Sequence, residues 1–67
     1  MKNNLKVERA KKDMTQAQLA EKIGVSRQTI NATEKGKYIP STLLALKMAS
    51  VFECKVEDIF EIEASDL

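Results

Sequence analysis

Residues 15–36, TQAQLAEKIGVSRQTINATEKG, read as two short helices joined by a tight bend. Thr15 is a good N-cap, and Leu19, Ala20 and Ile23 fall on one face at helical spacing before Gly24 stops the run. A second helix starts almost at once. Ser26 can cap it, Ile30 turns one face inward, and Gly36 stands where a left-handed residue is wanted at the helix end. The inward positions need only small or apolar side chains. The exposed first turn of the second helix, Arg27, Gln28 and Thr29, is therefore free of packing duties.

The flanking segments add three further helices. The first spans Asn4 to Lys12, with Leu5 and Arg9 four residues apart and Val7, Ala10 and Met14 on the neighbouring apolar side. After the connector Lys37-Tyr38-Ile39-Pro40, Ser41 caps a fourth helix from Thr42 to about Phe52. A short fifth spans roughly Lys55 to Phe60. Glu61-Ile62-Glu63 then alternates as a strand does, in reach of pairing with residues near the N-terminus. The expected class is all-α, with five helices and short terminal strands. At 3.6 residues per turn, Leu44, Ala45, Met48, Ala49, Val51 and Phe52 cover more than half of the fourth helix. Ala45, Ala49 and Phe52 are assigned to the core, leaving Leu44, Met48 and Val51, with Phe60 and Ile62, as the expected dimer contact; packing by the C-terminal segment is the alternative.

Length supports this need for a partner. In 67 residues there is room for one domain, 1–67, whose single core supplies only a few kcal/mol, so association is expected to help. No linker or repeat marks off a ligand-sensing domain, and no small-molecule ligand is evident. Leu43 to Leu46 is the longest apolar run and Met1-Lys2-Asn3-Asn4 begins no signal peptide, so no membrane association and a cytoplasmic location are expected. Cys54 alone, without histidine, cannot build an internal disulfide or a Cys/His zinc site, and it is read as a packed side chain. No histidine, glycine-rich phosphate loop or nucleophile beside a base speaks for an enzyme, and no metal or cofactor is expected.

The net charge of +1 hides a polarised chain. Residues 1–38 hold nine basic side chains against four acidic, a net of +5, whereas residues 39–67 hold two against six, a net of −4. A basic half attracts phosphates while an acidic half is kept away, which orients approach as well as strengthening it.

Thr-Gln-x-x-Leu-Ala, then Gly-Val-Ser-Arg-Gln-Thr-Ile, then Glu-x-Gly-Lys resembles the Cro/C1-type (XRE-like) helix-turn-helix family of bacterial, archaeal and phage repressors. The likeness covers nearly the whole chain and is strongest from Met14 to Tyr38. Leu5-x-x-x-Arg9, Pro40-Ser41 and Glu57-Asp58-Ile59-Phe60 agree with its small single-domain regulators. The resemblance implies a lambda-repressor-like domain whose helix 26–35 enters the major groove of a double-stranded DNA operator. It places Gln16 where the family binds a phosphate through the amide and the helix N-terminus. Arg27 and Gln28 then become base readers, since their planar forks match guanine O6/N7 and adenine N6/N7. Thr29 is assigned to a phosphate, Ala32 to a thymine methyl, Asn31 to the DNA backbone, and Lys35, Lys37 and Tyr38 to the next phosphates. Arg9 and Glu34 match a family pair that braces the recognition helix against the first helix. Thr33 departs from the family's isoleucine or leucine, so its hydroxyl must bond back to a helix carbonyl or reach water.

The expected function is that of a sequence-specific transcriptional regulator, a repressor acting as a homodimer. The alternative is an antitoxin or other protein-interaction module that also binds its own operator.

Overall fold

The computed structural model describes residues 1–67. In chain order the elements are β1 (Lys2–Asn3), α1 (Leu5–Lys11), α2 (Gln16–Ile23), α3 (Arg27–Glu34), α4 (Thr42–Phe52), α5 (Val56–Ile59), β2 (Phe60–Glu61) and a final 3-10 turn (Ala64–Asp66). The helix ends follow the cap residues. Thr15 Oγ1 accepts the Gln18 N–H at 3.0 Å while Gln18 Oε1 accepts the Thr15 N–H at 2.9 Å, a reciprocal capping box. Ser26 and Ser41 each accept the N–H three residues on, at 3.2 Å.

Gly24 and Gly36 both take a φ of 74°, the left-handed conformation that costs a residue without Cβ nothing. At the end of α3 the Lys37 N–H reaches the Ala32 carbonyl at 2.9 Å and the Gly36 N–H the Thr33 carbonyl at 3.0 Å, a Schellman closure. α4 ends the same way without glycine: Glu53 holds a φ of 54°, and the Cys54 N–H reaches the Ala49 carbonyl at 3.1 Å.

Leu5, Leu19, Ile23, Ile30, Met48, Phe52 and Ile59 meet in one hydrophobic cluster, to which each helix contributes. The termini close beside it. β1 and β2 pair antiparallel, Lys2 opposite Glu61 and Asn3 opposite Phe60, and the Asn4 N–H donates to the Ile59 carbonyl at 2.7 Å. The strand thus lies one residue earlier than the alternation of Glu61-Ile62-Glu63 indicates, because Phe60 is needed in the core.

α4 corrects the expected dimer contact. Leu44, Met48 and Phe60 are buried within the chain's own core and Val51 is half-buried against it, so these four cannot form a free outer face. α5 packs on α4, and Phe60 joins the same core cluster. Apolar surface left over includes Leu43 and Leu46, 64% and 54% exposed, with Ile39 at 65% in the connector and Ile62 at 67% beyond β2. Ile39 and Leu46 border a groove of about 220 Å³ floored by Ala45, Val56 and Phe60. In α1 only Leu5 is buried, and Val7 and Ala10 face outward rather than lining a second apolar side. Cys54 is half-buried against the core, and burial pushes its thiol pKa above the ordinary value, with Glu8 and Asp58 adding to the effect. No helix is long and apolar enough to cross a membrane.

Candidate nucleic-acid interface

The bend between α2 and α3 is set by two geometric events: Gly24 turns the chain in the left-handed region, and Ser26 restarts a helix two residues later. Ile30 and Thr33 pack inward, which leaves Arg27 and Gln28 exposed on the first turn of α3 and Thr29 and Asn31 half-exposed along its flank. Lys35, Lys37 and Tyr38 are exposed just beyond the helix end.

Behind this surface lies a network of side-chain bonds. Arg9 Nε donates to Glu34 Oε2 at 2.9 Å and Arg9 Nη2 to Glu34 Oε1 at 3.2 Å, the forked geometry that fixes a carboxylate in one plane. Arg9 Nη1 donates to the Met14 carbonyl at 2.9 Å, so one guanidinium ties α1, the loop before α2 and the end of α3. Hydrogen bonding to Glu34 raises the Arg9 pKa above its ordinary value, against the opposing effect of burial. The cation is permanent at any physiological pH.

Gln16 joins this network from the first turn of α2. Its Nε2 donates to Glu34 Oε1 at 3.1 Å and to Asn31 Oδ1 at 3.3 Å, and its Oε1 accepts from Arg27 Nη1 at 3.5 Å. The structure thus brings Gln16, Arg27, Asn31 and Glu34 together, while Gln28, Lys35, Lys37 and Tyr38 stand outside that network. These internal bonds are not legible in the sequence: Gln16 is expected at a DNA phosphate, and nothing at its own position reveals partners 15 and 18 residues away. Thr33 resolves as one of its two expected outcomes, with Oγ1 donating to the Thr29 carbonyl at 2.7 Å. Nothing in the sequence marks Asn3, yet its Nδ2 donates to the Thr33 carbonyl at 2.9 Å.

A capped helix, a tight left-handed bend and a second helix with outward polar forks and a braced rear face are the parts of a helix-turn-helix. The family described as Helix-turn-helix matches this chain over residues 5–59, and the chain belongs to that family. It is 60% identical over 63 residues to an uncharacterized HTH-type transcriptional regulator of Methanocaldococcus jannaschii, covering 94% of this chain and 96% of that protein. It is 51% identical, with the same coverages, to the uncharacterized HTH-type transcriptional regulator YgzD of Bacillus subtilis. Among solved structures, the SOS-response transcriptional repressor LexA from Eubacterium rectale superposes with a TM-score of 0.80 at 34% identity, over 96% of this chain and 68% of that one.

Proposed function

We propose that this chain is a sequence-specific DNA-binding transcriptional regulator, a repressor that works in the cytoplasm as a homodimer and blocks a promoter by occupying it. The observation that carries the reading is the exposed first turn of α3: Arg27 and Gln28 project from a helix fixed from behind by Arg9 and Glu34. A fork held on a rigid helix can read a base edge, because its direction is set before contact. The family and the names of its relatives support the same reading. Its role is binding rather than catalysis.

In this reading Arg27 and Gln28 take base edges, while Gln16, Thr29, Asn31, Lys35, Lys37 and Tyr38 take phosphates. The basic half of the chain faces the duplex and the acidic half faces away, so electrostatics favour one orientation of approach. The whole chain, 1–67, acts as one domain. The dimer forms through Ile39, Leu43 and Leu46. Leu43 and Leu46 lie three apart on one face of α4, and Ile39 sits on the connector from the recognition helix, so subunit contact and DNA contact are joined by a short, closed stretch of chain. Two-fold pairing there presents two copies of α3 to successive major grooves.

Selection of bound duplexes from a random pool tests this directly. The expected product is an inverted repeat with half-site centres about 34 Å apart, one turn of B-DNA. A pool that shows no enrichment contradicts DNA reading, and enrichment of single, unpaired half-sites contradicts the dimer.

A further inference from the structure

We infer that Asn3 is a positioning residue for DNA recognition: its side chain latches the terminal ribbon to the last turn of α3 and so sets the tilt at which that helix is presented. This rests on the reading of α3 as the base reader. Asn3 lies in β1 opposite Phe60 and is half-buried. Its Nδ2 donates to the Thr33 carbonyl at 2.9 Å, while its Oδ1 accepts the Leu5 N–H at 3.2 Å. One planar amide therefore joins the ribbon, the start of α1 and the end of α3.

The turn that it braces is weak by composition. Thr33 is buried, and its hydroxyl donates to the Thr29 carbonyl, which the helix ladder also uses; such back-bonding bends and loosens helices. Arg9 and Gln16 grip the last turns of α3 through the side chains of Glu34 and Asn31. These grips act on side chains and leave the backbone of the turn to shift beneath them. Asn3, from a different element, holds that backbone directly at Thr33. From Thr33 back to Arg27 the helix runs about 9 Å, and the arginine side chain extends that arm, so a few degrees of tilt displace the guanidinium by about 1 Å. Bidentate base readout tolerates little more than that.

Asn3→Asp separates the two bonds. It keeps an oxygen for the Leu5 N–H, removes the donor to Thr33, and sets a carboxylate against the negative end of α3. Asn3→Ala removes both bonds. Three quantities are read: amide hydrogen exchange at Lys35, Gly36 and Lys37 in the free protein, Tm, and affinities for a selected duplex and a shuffled duplex of equal length at fixed salt. The ratio of the two affinities cancels the added charge, which weakens both alike. Asn3→Asp is expected to lower Tm by a few degrees, to speed exchange in the last turn of α3 about tenfold relative to α2 and α4, and to cut the affinity ratio about tenfold. Asn3→Ala is expected to lose the same ratio with a lower Tm. Unchanged exchange in that turn, or an unchanged ratio in both variants, overturns the inference. So does a loss of both affinities in parallel with Tm, since Asn3 then only holds the fold. A wild-type chain that prefers neither duplex overturns the reading of α3 itself, and the exchange measurement, which needs no DNA, tells that failure apart from failure of the latch.

Discussion

Arg9 spends three donors on two acceptor groups, the Glu34 carboxylate and the Met14 carbonyl. Little of either charged side chain reaches solvent, 16% for Arg9 and 7% for Glu34, so the pair is stronger than a surface bridge and costly to break on one side. Glu34→Ala is expected to destabilise the chain by about 2–3 kcal/mol, because it strands the guanidinium and also removes an acceptor from Gln16. Urea unfolding measures this, and a loss below about 0.5 kcal/mol contradicts the brace. The pairing of Arg9 with Glu34 was legible through family resemblance, which carries contacts across 25 residues that spacing alone does not show. The bonds of Gln16 and Asn3 were not legible, because an amide has no charge complement to betray its partner at a distance in sequence.

Among the elements, those with chemical punctuation are legible in the sequence. Thr15, Ser26 and Ser41 start helices, Gly24 and Gly36 turn the chain after them, and the bounds of α4 fall on Thr42 and Phe52 as expected. On α4, Ala49 and Phe52 are buried as expected, and Leu44 and Met48 are buried with them instead of meeting a second subunit. A helix apolar around most of its circumference has no periodic minimum to mark the outer side, and the packing of α2 and α5 on α4 decides it. In α3, Thr33 keeps its hydroxyl satisfied only by bonding back onto the helix. Thr33→Val has nearly the same shape and removes that back-bond without leaving an unpaired group, since the Thr29 carbonyl keeps its ladder partner. It is expected to stabilise the chain by about 0.5 kcal/mol, a rise in Tm of about 2–4 °C by calorimetry. A fall in Tm shows instead that the hydroxyl bond is net stabilising.

The whole molecule is divided by charge and by apolar surface. Residues 1–38 carry the basic excess and include α2 and α3, whereas α4 and α5 lie in the acidic remainder, which bears Leu43 and Leu46 on its surface. Leu43→Glu or Leu46→Glu is expected to yield a folded chain that no longer self-associates, because a charge enters a face otherwise exposed to water. Met48→Lys is expected to unfold the chain, because Met48 has no exposed surface. Circular dichroism with light scattering separates the two outcomes, and a Leu43→Glu chain as associated as wild type moves the contact elsewhere. Base reading by α3 is measured by the binding of Arg27→Ala to a selected duplex and to variants at each of its positions, with Lys37→Ala beside it. Arg27→Ala is expected to lose about 1–3 kcal/mol per half-site and to relax preference at a single base pair, whereas Lys37→Ala weakens binding to every sequence alike and reduces the salt slope by about one. If Arg27→Ala keeps both the affinity and the sequence preference of the wild type, α3 is not the element that reads DNA.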